Sequence, residues 1–205
     1  MARSAGLWNR LAKRYAATPV KHEADYQTKL EVTRGYLTPE SEVFEFGCGT
    51  GSTAINHAPY VKHIHAVDYS GTMIAIAKRK VEAAGIGNID FERIGIDAVQ
   101  KPDASVDVVM AHSILHLLPN AEDVIRRAYA MLKPGGALVT STMCLGEMGA
   151  VARTLIGAMR LIPFAPFVNA LSQAELEGML TRAGFRIDYE WRPAKDRAAF
   201  IVAKK

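Results

Sequence analysis

The sequence predicts an α/β fold, a mostly parallel sheet with helices on both faces. Three observations predict it. Short β-rich runs alternate with helical stretches from Val43 onward, at the cadence of right-handed strand–helix–strand units. A glycine-rich turn, Gly47-Cys48-Gly49-Thr50-Gly51, directly follows the first of these runs. The chain closes on two strand-like runs joined by a short link, which predicts an antiparallel hairpin at the sheet edge.

The elements follow in order. Leu7, Trp8, Leu11 and Tyr15 recur at helical spacing, so Leu7 to Ala17 reads as a helix with an apolar, aromatic face that Pro19 ends. A second helix runs from about Glu23 to Leu37 and stops at Thr38-Pro39. Val43 to Phe46 is a strand, and Ser52 to His57 opens the helix after the glycine turn. Val61 to Asp68 is the second strand, and Ser70 is the N-cap of a long helix ending near Gly85. Ile89 to Ile94 and Val106 to Ala111 are the third and fourth strands, the fourth apolar enough to be covered on both faces. Asp123 to Leu132 is a helix closed by Lys133-Pro134-Gly135-Gly136, and Ala137 to Met143 is the fifth strand. Ser172 to Ala183 is the last helix, and Phe185 to Trp191 and Ala198 to Ala203 are the closing pair. Between the fifth strand and that helix, Leu145 to Leu171 breaks the cadence with a run rich in Met, Leu and Phe.

The 205 residues fit one domain, with residues 1–40 as an N-terminal helical lid and 145–171 as a helical insertion near the acceptor site. Hydrophobic residues at 49% and charged residues at 22% exclude wholesale disorder. The net charge of +4 permits anionic partners. The excess is scattered, however, over Lys13-Arg14, Lys78 to Lys80, Arg126-Arg127 and Lys204-Lys205, each a solvated face or terminus. Basic residues are not interleaved with aromatics, which argues against nucleic acid as a partner. The two cysteines, Cys48 and Cys144, offer neither a disulfide framework nor zinc-ligand spacing, and His, Asp and Glu do not cluster as metal ligands. No secretory signal is evident and no stretch reaches the about 18 apolar residues of a membrane span, so a cytoplasmic location is expected.

Three places carry chemistry. The glycines let the backbone turn sharply and let a ligand lie against main-chain atoms. Their GxGxG spacing misses the GxGxxG of dinucleotide folds, and Glu45, just ahead of the loop, would repel a pyrophosphate but suit a cationic ligand. Asp68, about 20 residues beyond the loop, is placed to bond both ribose hydroxyls. Tyr69 beside it can cover an adenine face; alone, the two read equally as a cap neighbour and surface. In Gly95-Ile96-Asp97-Ala98, Asp97 can accept from an adenine amino group while the Ala98 amide donates to the ring, although Asp also favours turns for local reasons.

Taken together, the EFGCGTG loop, the VDYS acid, the GIDA turn, VDVVMAHSILHLL, LKPGG and the closing strand pair resemble the class I S-adenosylmethionine-dependent methyltransferases. The resemblance covers nearly the whole chain. It implies a Rossmann-like sheet of seven strands, the last antiparallel and inserted beside the fifth. It also implies S-adenosyl-L-methionine as cofactor, with Glu45, Gly47, Cys48 and Gly49 around its methionine part. Asp68 would hold the ribose, Tyr69, Asp97 and Ala98 would lie near the adenine, and the backbone at His112 near the sulfonium. Cys48 reads as packing, not as a nucleophile. Trp8, Ala12 and Tyr15 approximate the family's opening aromatic motif, so Tyr15 is expected to close over the cofactor or to pack in the lid; Tyr26 is a further aromatic within reach.

His112 and His116, just past the fourth strand, are the candidate general bases, needed only if the acceptor holds its proton. Backbone contact for His112 and packing for His116 are the preferred readings. The expected acceptor is a small hydrophobic or aromatic molecule, and the 145–171 insertion suits such an acceptor or a homodimer contact equally well as a small extra core. An RNA or protein methyltransferase and a non-catalytic cofactor-binding protein are the alternatives. A nicotinamide-dependent oxidoreductase is disfavoured by Glu45 and the glycine spacing.

Overall fold

The computed structural model describes residues 2–148 and 167–205. Its strands are β1 (Glu42–Phe46), β2 (His63–Asp68), β3 (Ile89–Arg93), β4 (Val106–His112), β5 (Leu132–Thr142), β6 (Arg186–Trp191) and β7 (Ala199–Lys204). They form one seven-stranded sheet in the order β3-β2-β1-β4-β5-β7-β6. β7 runs antiparallel to both of its neighbours, while β1 to β5 pair in parallel. The fold is thus the Rossmann-like α/β sheet expected from the sequence. The closing hairpin forms its edge, and β7 lies inserted between β5 and β6.

The helices are α1 (Ala2–Ala17), α2 (Glu23–Arg34), α3 (Ser52–His57), α4 (Gly71–Ala84), α5 (Ala121–Met131) and α6 (Gln173–Arg182). Alternation along the strands sorts the side chains onto two faces. Phe44, Phe46, Val109 and Leu138 pack with Ile125 of α5 and Leu176 of α6. Val43, Ile64, Met110 and Phe200 pack on the other face with Ala54 of α3 and Ile74 of α4. Each fully buried residue of this size contributes about 1.5–3 kcal/mol relative to exposure. Ser70 caps α4 by accepting from the Met73 amide at 3.3 Å, and Ser172 with Glu175 makes a reciprocal capping box on α6. α1 lies on α4, where Trp8 and Ala12 meet Met73 and Ile76. Asn9 ties the two helices by accepting from the Ser70 hydroxyl at 2.7 Å.

Two of the boundaries that differ from the sequence expectation are set by strand pairing. β4 runs on to His112 because that residue pairs with Ser141 of β5. Leu132 to Gly136, expected only to close a helix, already belongs to β5: Leu132 pairs with Val106 across a register shift, and Gly135 turns the backbone at φ +79°. Most of the expected 145–171 insertion lies outside the described residues. At its base, the Gly146 amide donates to the Leu171 carbonyl at 2.9 Å, which brings the two ends of this stretch together. Among the described residues no helix is long and apolar enough to cross a membrane.

Candidate functional site

Parallel strands carry their loops to one edge of the sheet, and the candidate residues gather where β1, β2 and β4 end. The glycine turn leaves β1 with Gly47, Gly49 and Gly51 all at positive φ, +67°, +55° and +75°. Their surroundings separate them. A Cβ on Gly47 would stand 2.7 Å from Ile114, and one on Gly51 would stand 2.6 Å from the Phe91 ring, so both are packing glycines. A Cβ on Gly49 would meet only the Tyr15 ring, at 4.0 Å. The loop is therefore packed on both flanks and open at its centre, a cradle for a ligand against the backbone. Lys80, which the sequence reading missed, braces the far side by donating to the Thr50 carbonyl and hydroxyl, both at 3.1 Å, and to Ser52 at 3.0 Å.

Asp68 ends β2 and is buried. One carboxylate oxygen accepts from the Gly49 amide at 3.0 Å and the other from the Ser70 amide at 2.8 Å. Burial raises its pKa and these two donors oppose the rise. Tyr69 beside it is half-buried.

Glu45 is the electrostatic anomaly of the site. It is buried in β1, one of its oxygens has no hydrogen-bond partner among the described residues, and burial, then the charge of Asp68, pushes its pKa up to about 8. A buried carboxyl left this way is costly unless a donor or a positive charge arrives. Cys48 donates its amide to the Val67 carbonyl at 3.1 Å, and its thiol is raised well above the ordinary range by burial, then by Glu45 and Asp68. A thiol kept neutral is no nucleophile.

Both N-terminal helices reach this place. The Tyr15 hydroxyl is raised by desolvation and then by the charges of Asp68 and Glu45, although about half of the residue is exposed. Tyr26 of α2 accepts from the Asn56 amide group at 3.3 Å and also lies within the field of Glu45.

Across the cradle, β4 delivers His112 and then Ser113, a non-glycine residue at φ +55° whose amide donates to the Ser141 carbonyl at 2.7 Å. His112 stacks on Phe200 and its Nε2 is buried without a partner among the described residues. Burial, then the charges of His57 and Lys29, lowers its pKa to about 3, so the imidazole is neutral. His57, at the end of α3, was not singled out from the sequence because nothing local distinguishes it from an ordinary helix terminus. It is fully buried, both ring nitrogens lack partners among the described residues, and burial and Arg34 lower it to about 4. His116 sits in the turn after β4, buried, with its pKa lowered to about 4 and its carbonyl accepting from the Asn169 amide at 2.7 Å. Asp97 lies on the exposed turn after β3, accepting from Asn120 at 2.9 Å, and the Ala98 amide donates to the Gly95 carbonyl at 2.9 Å.

The arrangement offers a backbone cradle, an unsatisfied carboxyl beneath it and neutral imidazoles across from it. Residues 43–136 match the family model described as a methyltransferase domain. A probable S-adenosylmethionine-dependent methyltransferase of Mycolicibacterium smegmatis is 27% identical over 169 residues, 82% of this chain and 59% of that protein. A malonyl-[acyl-carrier protein] O-methyltransferase of a Paenibacillus species is 28% identical over 165 residues, 77% of this chain and 59% of that protein. The chain thus spans 59% of the length of each of these relatives. Among solved structures, the [4+2]-cyclase SpnF superposes with a TM-score of 0.74 at 21% identity, covering 92% of this chain and 83% of the other. That likeness concerns the fold alone.

Proposed function

We propose that the chain is a class I S-adenosylmethionine-dependent methyltransferase, as its match to the methyltransferase-domain model and its methyltransferase relatives support, and that it binds this cofactor over the glycine cradle and transfers its methyl group to a small, hydrophobic or aromatic acceptor. The observation that carries this reading is Glu45. A buried carboxyl with an unpartnered oxygen beside an open glycine suits the cationic methionine end of S-adenosylmethionine, which favours its ionised form.

In this reading Gly49 gives backbone access, Asp68 holds the loop and takes the ribose, and Tyr69, Asp97 and Ala98 flank the adenine. Tyr15 covers the site from α1 as part of a lid formed by residues 1–40. When bound, the cofactor supplies a methyl group already activated by the sulfonium. The protein's part is to line up acceptor, methyl and sulfur, and such positioning is worth several kcal/mol, up to about 7–11 in ideal systems. A neutral His112 can accept a proton from an acceptor at its unpartnered nitrogen if one must be removed. His116 packs beneath.

The test is transfer of an isotope-labelled methyl group from S-adenosylmethionine to a panel of hydrophobic phenols and thiols. Labelled product is expected. Tight binding of S-adenosylhomocysteine with no turnover on any acceptor would instead make the chain a non-catalytic cofactor-binding protein.

A further inference from the structure

Lys29 projects from α2 toward the end of β5, where its ammonium donates to the Ser141 hydroxyl at 2.9 Å. That contact places it on the far side of β4 from the glycine loop, since β1, β4 and β5 are neighbours in that order and Ser141 pairs with His112. The site is partly buried, and Lys29 makes no ion pair among the described residues. The one carboxylate whose charge bears on it, Asp25, is engaged with Arg197 at 3.0 Å. Residues 149–166 cannot supply another, because that stretch contains no Asp or Glu.

Desolvation lowers the Lys29 pKa and the positive charge of Arg197 adds to the effect. The charge of Asp25 opposes this, but that carboxylate is shared with Arg197. The Ser141 hydroxyl accepts from the ammonium, and His112, a neutral imidazole whose Nε2 has no partner among the described residues, lies within its field. A desolvated ammonium whose nearby carboxylate is already paired with another cation is undercompensated. It is the electrostatic complement of Glu45 on the cofactor side. Glu45 calls for a cation over β1, and Lys29 calls for an anion over β5.

We propose that the acceptor is an acidic small molecule whose carboxylate is held by Lys29 beside His112. This rests on the methyltransferase reading and narrows its acceptor class. The carboxylate accepts from the ammonium and from Ser141, which fixes one end of the acceptor at β5. Its hydrophobic body then lies along the ends of β4 and β5, toward the methyl position.

The test uses matched pairs of small carboxylic acids and their primary amides, 3,4-dihydroxybenzoic acid with its amide and octanoic acid with its amide. Each is titrated calorimetrically into the 205-residue protein with and without saturating S-adenosylhomocysteine. At least one acid should bind about tenfold or more tightly than its amide. Lys29→Met should bring each pair to equal affinity, and Lys29→Arg should keep the preference. Neither variant should alter S-adenosylhomocysteine affinity. Equal binding of acids and amides by the native protein, or no binding of either acid, overturns the proposal. So does weakened S-adenosylhomocysteine binding in a folded Lys29→Met variant, which would assign the ammonium to the cofactor's own carboxylate. Failure of the native protein to bind S-adenosylhomocysteine counts against the methyltransferase reading, while the acid–amide comparison in its absence still reports on Lys29.

Discussion

The Asp68 carboxylate accepts a hydrogen bond from the Gly49 amide at 3.0 Å, across the gap between β2 and the glycine loop. This bond joins the two strongest signals in the sequence, the loop and the acid that follows it. It also means that Asp68 shapes the cradle before any ligand arrives.

Asp68→Ala should therefore act twice. Hydrogen bonds to a charged group contribute about 1.5–3 kcal/mol, so loss of the proposed ribose contact is expected to weaken S-adenosylhomocysteine binding by about that amount. Loss of the Gly49 and Ser70 contacts lowers stability as well. Calorimetric titration and denaturant unfolding separate the two effects, and an unchanged dissociation constant removes Asp68 from the site.

The three loop glycines should respond differently. Gly47→Ala and Gly51→Ala drive a Cβ into Ile114 and Phe91 and are expected to destabilise the fold. Gly49→Ala meets no clash and bears mainly the strain of its positive φ, roughly 1–2 kcal/mol. The larger Gly49→Val fills the cradle and should abolish cofactor binding in a protein that still folds. Normal affinity in that variant contradicts the cradle assignment.

Glu45 gives the cofactor reading a pH signature. Its pKa of about 8 keeps the free protein's carboxyl mostly protonated at neutral pH. A cationic ligand favours the ionised form and so lowers that pKa, which means that binding near pH 7 releases a proton and tightens as pH rises toward 8. Titrations in buffers of different ionisation enthalpy should show the release in the native protein and not in Glu45→Gln. Equal proton release by both would place the titrating group elsewhere.

The buried histidines set the acid limit of stability. His57 is held near 4 against an ordinary value of 6.5, so between these values the unfolded chain binds a proton that the folded chain does not. Stability is therefore lost as pH falls from about 6.5 toward 4. His112 and His116, lowered for the same reason, add to the loss. His57→Phe should flatten this limb by roughly one proton in unfolding measured against pH. An unchanged slope would mean that His57 is not buried as a neutral ring.

Much of this fold was legible because the signals are local. The Val43 to Phe46 run, the glycine turn and the Ser70 cap each depend on residues within a few positions, and the short link before β7 dictated the hairpin. The start of β5 was not legible, because Leu132 becomes a strand residue only through its partner Val106. In the candidate site, Glu45 and Asp68 stand out from sequence because they flank the loop at fixed spacing. His57 and Lys29 were not, because their meaning lies in which elements cross. Only when α3 and α2 pack over the ends of β4 and β5 do a helix-end histidine and an ordinary helical lysine come to surround His112. Packing likewise divides the glycines, since nothing in GxGxG tells the one with room for a Cβ from the two pressed against Ile114 and Phe91.

The most direct test is calorimetric titration of the protein with S-adenosylmethionine and S-adenosylhomocysteine, with NAD as the control. Saturable binding of both sulfur ligands and none of NAD is the expected result. A folded protein that binds neither sulfur ligand, or that prefers NAD, would contradict the cofactor site built on Glu45, Gly49 and Asp68.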